Sequence, residues 1–352
     1  MDNLPPIEGP VCPVPLTHNE QIVLGHGSGG RMSHDLITSI FLSAFDNPIL
    51  KTGDDAAPLD LQGAQLAVST DAHVVTPLFF PGGDIGRLAV CGTVNDVAML
   101  GARPLYLTAG FILEEGLPIE TLRRVVASMQ SAAGEAGVQV VAGDTKVVER
   151  GKADGLYITT TGVGLRRAGI HIGGAKAATG DVVILSGPIG DHGMAVLGAR
   201  GELGFQSGIQ SDVAPLNHLV EAMLDASPHI HVLRDPTRGG VATTLNEIAA
   251  QSKCCITINE QSLPVHADVS AACEMLGFDP LYVANEGKLL ALVPKADADQ
   301  VLAAMHNTRY GEQAVIVGEV TPEPLGRVLL RTNLGTTRVL GMLAGEMMPR
   351  IC

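Results

Sequence analysis

Apolar residues recur at helical spacing in six stretches of the chain. The clearest stretch begins at Pro118, which fits a first helical turn, and its apolar residues form one stripe: Leu122, Val125, Val126, Met129 and Ala133. By the same spacing we predict helices over 33–45, 84–100, 118–136, 215–226, 239–251 and 296–306.

Short β-rich apolar runs lie between these helices and predict strands. The predicted strands cover 21–24, 66–69, 138–142, 156–163, 181–185, 255–258, 289–293 and 314–320. Periodicity is lost over 166–180, and a second strand-and-helix series begins at Asp181. This alternation predicts an α/β (α+β) fold of two domains. We expect a poorly ordered lead-in over 1–20, an N-terminal domain over 21–170, a C-terminal domain over 171–340 and a flexible tail over 341–352.

Length and composition agree with two domains and argue against several classes of function. The chain has 352 residues, 46% of them apolar, which is enough for a core in each domain. A net charge of −14 and an aromatic content of 3% argue against nucleic-acid binding. We see no secretion leader and no apolar run long enough to span a membrane. The six cysteines form no CxxC pair, which favours reduced thiols in the cytoplasm.

A glycine-rich loop, Gly25-His-Gly-Ser-Gly-Gly30, lies between a predicted strand and a predicted helix. Its last four residues, Gly27, Ser28, Gly29 and Gly30, can bring backbone N–H groups close to an anion near a helix start. The loop also matches the dinucleotide-binding spacing GxGxxG, but Asp46 follows an apolar helix and not a second strand. A phosphate loop and a plain tight turn therefore both stay open.

Acidic and amide side chains recur where predicted strands or apolar helices end. They fall in a GDDAA turn, after the strand 66–69, inside the helix 84–100 and after the strand 138–142: Asp54, Asp55, Asp71, Asn95, Asp96, Asp144 and Thr145. If the five aspartates converge, they offer the oxygen ligands that Mg²⁺ takes together with nucleotide phosphates. The alternative is a set of separate turn and capping residues. The chain has no Walker A motif, so a nucleotide site here is not of the P-loop kind.

Two further motifs lie in the second half of the chain. Asp235-Pro-Thr-Arg-Gly-Gly240 precedes a predicted helix, and its Arg238 is either an exposed charge or a clamp on phosphate. His192 belongs to a glycine-rich turn that is by itself more typical of a structural element.

The tail ends in Pro349-Arg-Ile-Cys352 and has possible hinges at Gly341 and Gly345. Twelve extended residues reach about 40 Å. An exposed terminal thiol is liable to oxidation, so its presence needs a reason. The tail is either a frayed end or a swinging carrier that one protein loads and that delivers to another.

Together these motifs resemble the HypE family of hydrogenase maturation factors. The resemblance runs from about Gly25 to Cys352 and rests on GHGSGG, GDDAA, STD, NDVAMLGA, GDTKVV, DPTRGG, NEG and a terminal PRIC. GDDAA fits several members of the wider AIR-synthetase-like (PurM-like) ATP-binding superfamily, whereas DPTRGG with the terminal PRIC is more specific. The resemblance implies a two-domain AIR-synthetase-like fold, whose N-terminal domain forms a homodimer through its strands.

The resemblance also implies an enzyme, an ATP-dependent carbamoyl dehydratase. Cys352 would receive a carbamoyl group from the carbamoyltransferase HypF. ATP and Mg²⁺ would then serve to dehydrate the S-carboxamide to an S-cyanate. The cyano group would pass to an iron held by the HypC–HypD complex, towards the cyanide ligands of a [NiFe] hydrogenase.

Within that chemistry, Lys146 is a candidate to stabilise phosphoryl oxygens or orient the carboxamide, and Glu286 is the candidate base. A strand-edge lysine and a turn glutamate are the plain alternatives. The expected ATP-binding residues are Gly27, Ser28, Gly29, Gly30, Asp55, Asp71, Asn95, Asp96, Asp144, Thr145, Asp235 and Arg238.

Two other functions stay open at this point. The first is a small-molecule phosphotransferase of the same superfamily, either thiamine-phosphate kinase-like or selenophosphate-synthetase-like. The second is a non-enzymatic acidic scaffold that presents its tail. The terminal Cys352 separates the alternatives, because a small-molecule kinase does not need it, and a scaffold leaves the acidic residues unexplained.

Overall fold

The computed structural model describes residues 29–42, 44, 48–61, 63–201, 208–343, 348 and 350–352. The α-helices of these ranges are α1 (Arg31–Leu36), α2 (Ile85–Met99), α3 (Ile119–Ala136), α4 (Asp191–Ala199), α5 (Asn217–Ala226), α6 (Gly240–Ser252), α7 (Ala267–Leu276) and α8 (Ala298–His306). None of these helices combines the length and hydropathy needed to cross a membrane.

The strands belong mainly to two mixed sheets. They are β1 (Ala57–Leu61), β2 (Ala64–His73), β3 (Phe79–Phe80), β4 (Gly83–Asp84), β5 (Ala102–Glu114), β6 (Gln139–Val148), β7 (Leu156–Arg166), β8 (Asp181–Leu185), β9 (Val232–Arg234), β10 (Cys255–Asn259), β11 (Leu290–Pro294), β12 (Val315–Thr321), β13 (Arg327–Arg331) and β14 (Thr337–Leu340). The first sheet has the order β1-β2-β7-β5-β6, and the second has the order β14-β13-β10-β12-β8-β11-β9.

Helix α2 covers the inner face of the first sheet and is buried along almost its whole length. Two glycines of β7 allow this close approach. A Cβ on Gly162 would lie 2.8 Å from Thr93 Cγ2, and a Cβ on Gly164 would lie 2.4 Å from Val97 Cγ1. Asp84 begins the helix by accepting hydrogen bonds from the N–H groups of Gly86 and Arg87. The helix that carries Asn95 and Asp96 is therefore fixed against the strand layer.

The centre of the second sheet is buried on both faces, as the sequence of β8 shows. All five of its residues are buried. Val182 and Ile184 pack into an apolar cluster with α5 and α8, whereas Val183 and Leu185 pack into another cluster with α6. A strand with helices on both faces reads as a continuous apolar run, which explains the sequence Asp181-Val-Val-Ile-Leu185.

The two-domain α/β prediction is confirmed, and most predicted elements lie within a few residues of observed ones. The helix expected over 33–45 differs, because α1 passes into a π-helix at Ile37–Leu42. The prediction missed β1, β5, α7, β13 and β14, among other elements. The lead-in over 1–20 and the strand over 21–24 lie outside the described residues. The boundary at 170 stays a prediction; it falls between the last strand of one sheet and the first strand of the other.

Candidate functional site

Strand β2 and helix α2 bring two carboxylates together on the inner face of the first sheet. A Cβ on Gly92 of α2 would lie 3.2 Å from Asp71 Oδ2, so the missing side chain lets this strand carboxylate approach the helix. Asp96, about one turn further along α2, accepts a hydrogen bond of 2.6 Å from Ser69 Oγ. The same hydroxyl lies 3.1 Å from the carbonyl oxygen of Asp55, which ties the GDDAA turn to this pair.

The loop between β9 and α6 supplies the opposite wall. Arg234 lies with its Nε 2.7 Å from Asp55 Oδ1 and its Nη2 2.7 Å from Glu247 Oε2. These residues line a cavity of about 250 Å³ together with Gly29, Asp235 and Arg238. The glycine has a φ of +76°, and a Cβ there would lie 2.8 Å from Arg238 Cβ, so a larger residue does not fit.

Glu286 is buried beside the same site, where the charges of Asp71, Asp235 and Arg238 act on it. Its backbone N–H donates to Asp212 Oδ1 at 3.0 Å, which holds the NEG segment in place. Its Oε1 atom is buried with no hydrogen-bond partner, and its carboxyl group lies close enough to the Cys352 thiol to raise the pKa of that thiol. A carboxyl oxygen left without a partner in a buried site has free capacity to accept a proton or a ligand.

Burial and mutual repulsion raise the pKa values of this carboxylate group. Burial raises the pKa of Asp96, and the charge of Asp71 raises it further. Burial and the charges of Asp71 and Asp235 likewise raise the pKa of Glu286 well above its usual range. Burial raises the pKa of Asp235 to about 6, although Arg234 opposes this. Such shifts are typical of functional sites, where a cation or a reacting group later offsets the repulsion.

The last residues of the chain lie inside this site. The backbone N–H of Val74 donates to the main-chain oxygen of Cys352 at 2.9 Å, and the Ile351 side chain is 3% exposed within the apolar core of the first domain. Burial raises the pKa of the Cys352 thiol to about 12, and the nearby charges of Glu286 and Asp71 add to this while Arg238 opposes it. The resting position of the tail, which the sequence does not determine, is therefore an inward one.

The structure brings together most of the predicted site residues. Gly29, Asp55, Asp71, Asp96, Asp235, Arg238, Glu286 and Cys352 all lie at or around this carboxylate group. Asn95 lies behind the site: its amide donates to the carbonyls of Ala214 and Glu286 and accepts from the Leu216 N–H, so it crosslinks the two domains and holds the segment of Glu286. Gly30 packs against Leu343, and Asp54 accepts from the Gly174 N–H at 2.6 Å. Gly27 and Ser28 lie outside the described residues.

Asp144, Thr145 and Lys146 do not join this site within one chain. They lie within the exposed edge strand β6, not after a strand as predicted. Lys146 Nζ lies 2.6 Å from Asp144 Oδ2, and this hydrogen bond lowers the pKa of Asp144. Strand pairing explains their separation. Asp144 aligns across β5 with Thr159 of β7, whereas Asp71 aligns with Thr160, the next residue of the same strand. Consecutive residues of a strand point to opposite faces, so the two aspartates lie on opposite faces of the sheet.

Sequence reasoning missed several residues around the site. Arg234, immediately before DPTRGG, is the buried counter-charge of Asp55, and Asp212 anchors the segment of Glu286. Arg200, at the end of α4, was also missed and contacts the tail; His192 on α4, which the sequence placed in a glycine-rich turn without a role, contacts the tail as well. For Arg234 the only available signal was its position beside DPTRGG, because the contacts themselves join residues far apart in the chain.

The donor set fits a magnesium ion that is bound together with a nucleotide. Within the described ranges, no three His, Cys, Asp or Glu side chains are placed to hold a metal ion by themselves. Three buried carboxylate oxygens, Asp55 Oδ2, Asp212 Oδ2 and Glu286 Oε1, nevertheless have no hydrogen-bond partner. Magnesium commonly takes one or two carboxylates and completes its shell with water and substrate phosphates.

Fold and site together define an AIR synthase-related protein. Family models of AIR synthase related proteins match the chain in both domains, the N-terminal domain model over residues 53–166 and the C-terminal domain model over residues 178–331. More particularly, the chain is 56% identical to the carbamoyl dehydratase HypE of Cupriavidus necator, over 94% of this chain and 95% of that protein. The chain therefore belongs to the HypE family, as its motifs indicated.

Solved structures of the family agree with this assignment. A crystal structure of the hydrogenase maturation protein HypE in complex with ATP is 52% identical, with a TM-score of 0.79 over 94% of this chain and all of that chain. A HypE–HypF complex structure is 50% identical, with a TM-score of 0.84 over 88% of this chain and 99% of that one. The predicted AIR-synthetase-like fold is thus confirmed.

Proposed function

We propose that this protein is an ATP-dependent carbamoyl dehydratase that converts an S-carbamoyl group on its own Cys352 into an S-cyanate. The observation that carries the proposal is the position of the thiol, which is buried against Glu286 and within electrostatic reach of Asp71 and Arg238. The cyano group would supply the cyanide ligands of the iron in a [NiFe] hydrogenase.

The reaction needs a leaving group and a proton acceptor. The carbamoyl oxygen attacks the γ-phosphorus of ATP, which releases ADP and turns a poor leaving group into phosphate. The C–O bond then breaks, phosphate leaves, and both N–H protons are lost as the C≡N bond forms. The protein's part is to align the carbamoyl oxygen with the phosphorus and to accept a proton from nitrogen.

Glu286 is the residue that we propose as proton acceptor. Its carboxyl group lies close enough to the Cys352 thiol to raise the pKa of that thiol, so we expect it to lie next to a group attached to the sulfur. Burial raises its pKa well above the usual range of a glutamate. A carboxylate with a raised pKa is a stronger base at neutral pH, which suits abstraction of an amide proton.

ATP would bind across the cavity between the GDDAA turn and the DPTRGG loop. Arg238 lines this cavity and has the charge to hold phosphate oxygens, beside the backbone of Gly29. We propose that Asp55, Asp71 and Asp96 hold Mg²⁺ with the phosphates, because their like charges are close together and lack a full set of counter-charges. The ion would supply positive charge to the transferring phosphoryl group.

We propose that the protein works as a homodimer formed through the first sheet. Large apolar side chains are exposed on its outer face and on the edge strand β6: Tyr106, Ile112, Val140, Val141, Val147 and Leu165. A patch of this kind on one sheet is typical of a surface that is covered in the working assembly. Lys146 and Asp144 lie on the same outer face. We therefore expect them to reach a reacting centre only when a second copy of the chain packs against this face.

The proposal includes two further encounters. HypF would load the carbamoyl group onto Cys352, since a relative at 50% identity has been solved as a HypE–HypF complex. The HypC–HypD complex would receive the cyano group on its iron. Both steps need a reduced thiol, so we place the protein in the cytoplasm.

Intact-mass spectrometry tests the proposal. After incubation with HypF, carbamoyl phosphate, Mg²⁺ and ATP, the mass should show a carbamoyl adduct that loses one water only when ATP is hydrolysed. Cys352→Ala should bind ATP normally and gain no adduct. An unmodified C-terminal peptide from the wild-type protein under these conditions would contradict the proposal.

No observation favours the two other functions. A small-molecule phosphotransferase has no use for a terminal cysteine that fills its own cleft, and a scaffold has no use for a buried group of repelling carboxylates.

A further inference from the structure

We propose that His192 and Arg200 are positioning residues that hold the tail by its backbone carbonyls and so set the fraction of time that Cys352 spends in the site. The inference rests on the proposed function and extends it to the control of the carrier's movement. It concerns residues that contact the tail and not the reacting group.

The main-chain oxygens of the last three residues each accept a hydrogen bond. The Arg350 carbonyl accepts from Arg200 Nη2 at 2.8 Å, the Ile351 carbonyl from His192 Nε2 at 2.8 Å, and the main-chain oxygen of Cys352 from the Val74 N–H at 2.9 Å. The Thr76 N–H also lies 3.4 Å from the Arg350 carbonyl. The tail therefore lies antiparallel along residues 74–76, in the manner of a peptide added to an extended segment.

The protonation state of His192 follows from its partners. A carbonyl oxygen only accepts, so Nε2 must carry the proton that is donated to Ile351. Nδ1 then accepts from Ser211 Oγ at 2.8 Å. Burial lowers the pKa of this histidine, which agrees with a neutral ring. The ring also meets Phe80 edge-on, with 5.5 Å between centroids, so its donor is held in one direction.

Arg200 joins the tail to the body of the first domain. Its Nε donates to the Thr76 carbonyl at 2.9 Å, while Nη2 donates to Arg350. One planar guanidinium thus fixes the spacing between the segment after β2 and the tail. Charged donors make stronger hydrogen bonds than neutral ones, so this contact is the strongest of the set.

None of these contacts involves the sulfur of Cys352. The side chains that add to the binding are Ile351, in the apolar core of the first domain, and Met348, whose Sδ would lie 3.1 Å from a Cβ on Gly193. The same hold is therefore available to a free thiol and to an S-carbamoyl group. Burial raises the pKa of the docked thiol to about 12, so the thiol becomes nucleophilic only when the tail leaves.

Alkylation of the unloaded protein measures this release. Full-length protein without ATP is treated with iodoacetamide at pH 8, and the peptide that follows Glu346 is quantified by mass spectrometry after cleavage at glutamate. Since only the released tail reacts, we expect Arg200→Gln and His192→Phe each to raise the alkylation rate of Cys352 about five- to tenfold. Arg167→Gln is the matched control, because Arg167 pairs with Asp225 and makes no hydrogen bond or ion pair with the tail residues that the structure describes.

The buried thiol of Cys91 is the internal standard for folding, and its rate should stay low in every variant. If Cys91 reacts faster in Arg200→Gln, that variant has opened globally and does not test the tail. Arg200→Lys then replaces it: because lysine keeps one charged donor, we expect a Cys352 alkylation rate between those of the wild type and Arg200→Gln. Equal Cys352 rates in wild type and folded variants would overturn the proposal.

A second readout separates positioning from the proposed function. In single turnovers at saturating ATP, carbamoylated Arg200→Gln should dehydrate about five- to tenfold more slowly with unchanged ATP affinity, and Arg200→Lys should recover part of the rate. If wild-type protein fails to dehydrate but the alkylation rates change as expected, the proposed function is wrong and the hold on the tail stands. A normal rate in every variant would instead show that docking does not limit the reaction.

Discussion

At the scale of single residues, burial is the main influence on the pKa values of both the acids and the thiol in this site. Burial raises the pKa of Glu286 and that of the Cys352 thiol, and the charge of Glu286 raises the pKa of the thiol further. The sulfur position therefore favours a neutral group, and an S-carbamoyl group is neutral. A thiolate is disfavoured there, which agrees with a carrier that is loaded by another protein outside the site.

Replacing Glu286 by glutamine tests its role as proton acceptor. Glutamine keeps the shape of the side chain but does not accept a proton at neutral pH, so we expect dehydration of carbamoylated protein to slow by at least about a hundredfold. ATP affinity should change little, because Arg238 and the aspartates remain. Single-turnover measurement of the cyanate product provides the rate.

The matched control for this substitution is Glu319→Gln, whose side chain is 53% exposed on the far sheet beside Arg331. It should react at the wild-type rate. Unchanged dehydration in Glu286→Gln would assign the base to another group.

The site residues that could be predicted from the sequence are those that belong to short motifs. Asp55, Asp71, Asp235 and Glu286 each belong to one. His192 and Arg200 contribute through contacts 159 and 150 positions away, with Ile351 and Arg350. No local pattern contains such a contact, because it exists only once the two domains and the tail have packed.

At the scale of secondary structure, the face of a strand decides which motif residues meet. Asp71 and Asp144 were both expected at strand ends, yet both lie inside longer strands, β2 and β6. Side chains alternate between the two faces of a strand, so the pairing register decides the face of each residue. Asp71 lies on the face that packs against α2, and Asp144 lies on the outer face. Register depends on neighbouring strands, and β5, which joins β6 to β7, was itself missed.

The contact between α2 and β7 offers a test at this scale. Ala in place of Gly164 would put a methyl group 2.4 Å from Val97 Cγ1 and 2.8 Å from the Arg103 carbonyl oxygen. Because α2 is buried and fixed, we expect Gly164→Ala to lower the free energy of unfolding by about 1–3 kcal/mol. Chemical denaturation at constant pH measures this change.

Gly134→Ala on α3 is the matched control, since a Cβ at that helical position meets no atom within 4 Å. It should leave stability unchanged or raise it by up to about 1 kcal/mol. Equal effects of the two substitutions would show that α2 moves freely away from the sheet.

At the scale of the whole molecule, one chain holds a thiol, a base and a group of carboxylates, but it leaves Lys146 and Asp144 exposed on the other face of the first sheet. That face also exposes Tyr106, Ile112 and Leu165. A chain with a net charge of −14 repels its own copies at long range, so an apolar face is what we expect to drive their association. The proposed homodimer would account for both the apolar face and the separated motif.

Ile112→Lys tests this arrangement, because Ile112 pairs with Lys146 on β6 and with Tyr157 on β7 and so lies on the outer face. We expect light scattering coupled to size-exclusion chromatography to show a dimer for the wild type and a monomer for the variant, since burying a charge in an apolar interface is costly. The monomer should retain its docked Cys352 but lose most dehydration activity. Met275→Lys, at an apolar residue 70% exposed on α7, should remain a dimer. A fully active monomer would confine the reaction to one chain and leave Lys146 without a catalytic role.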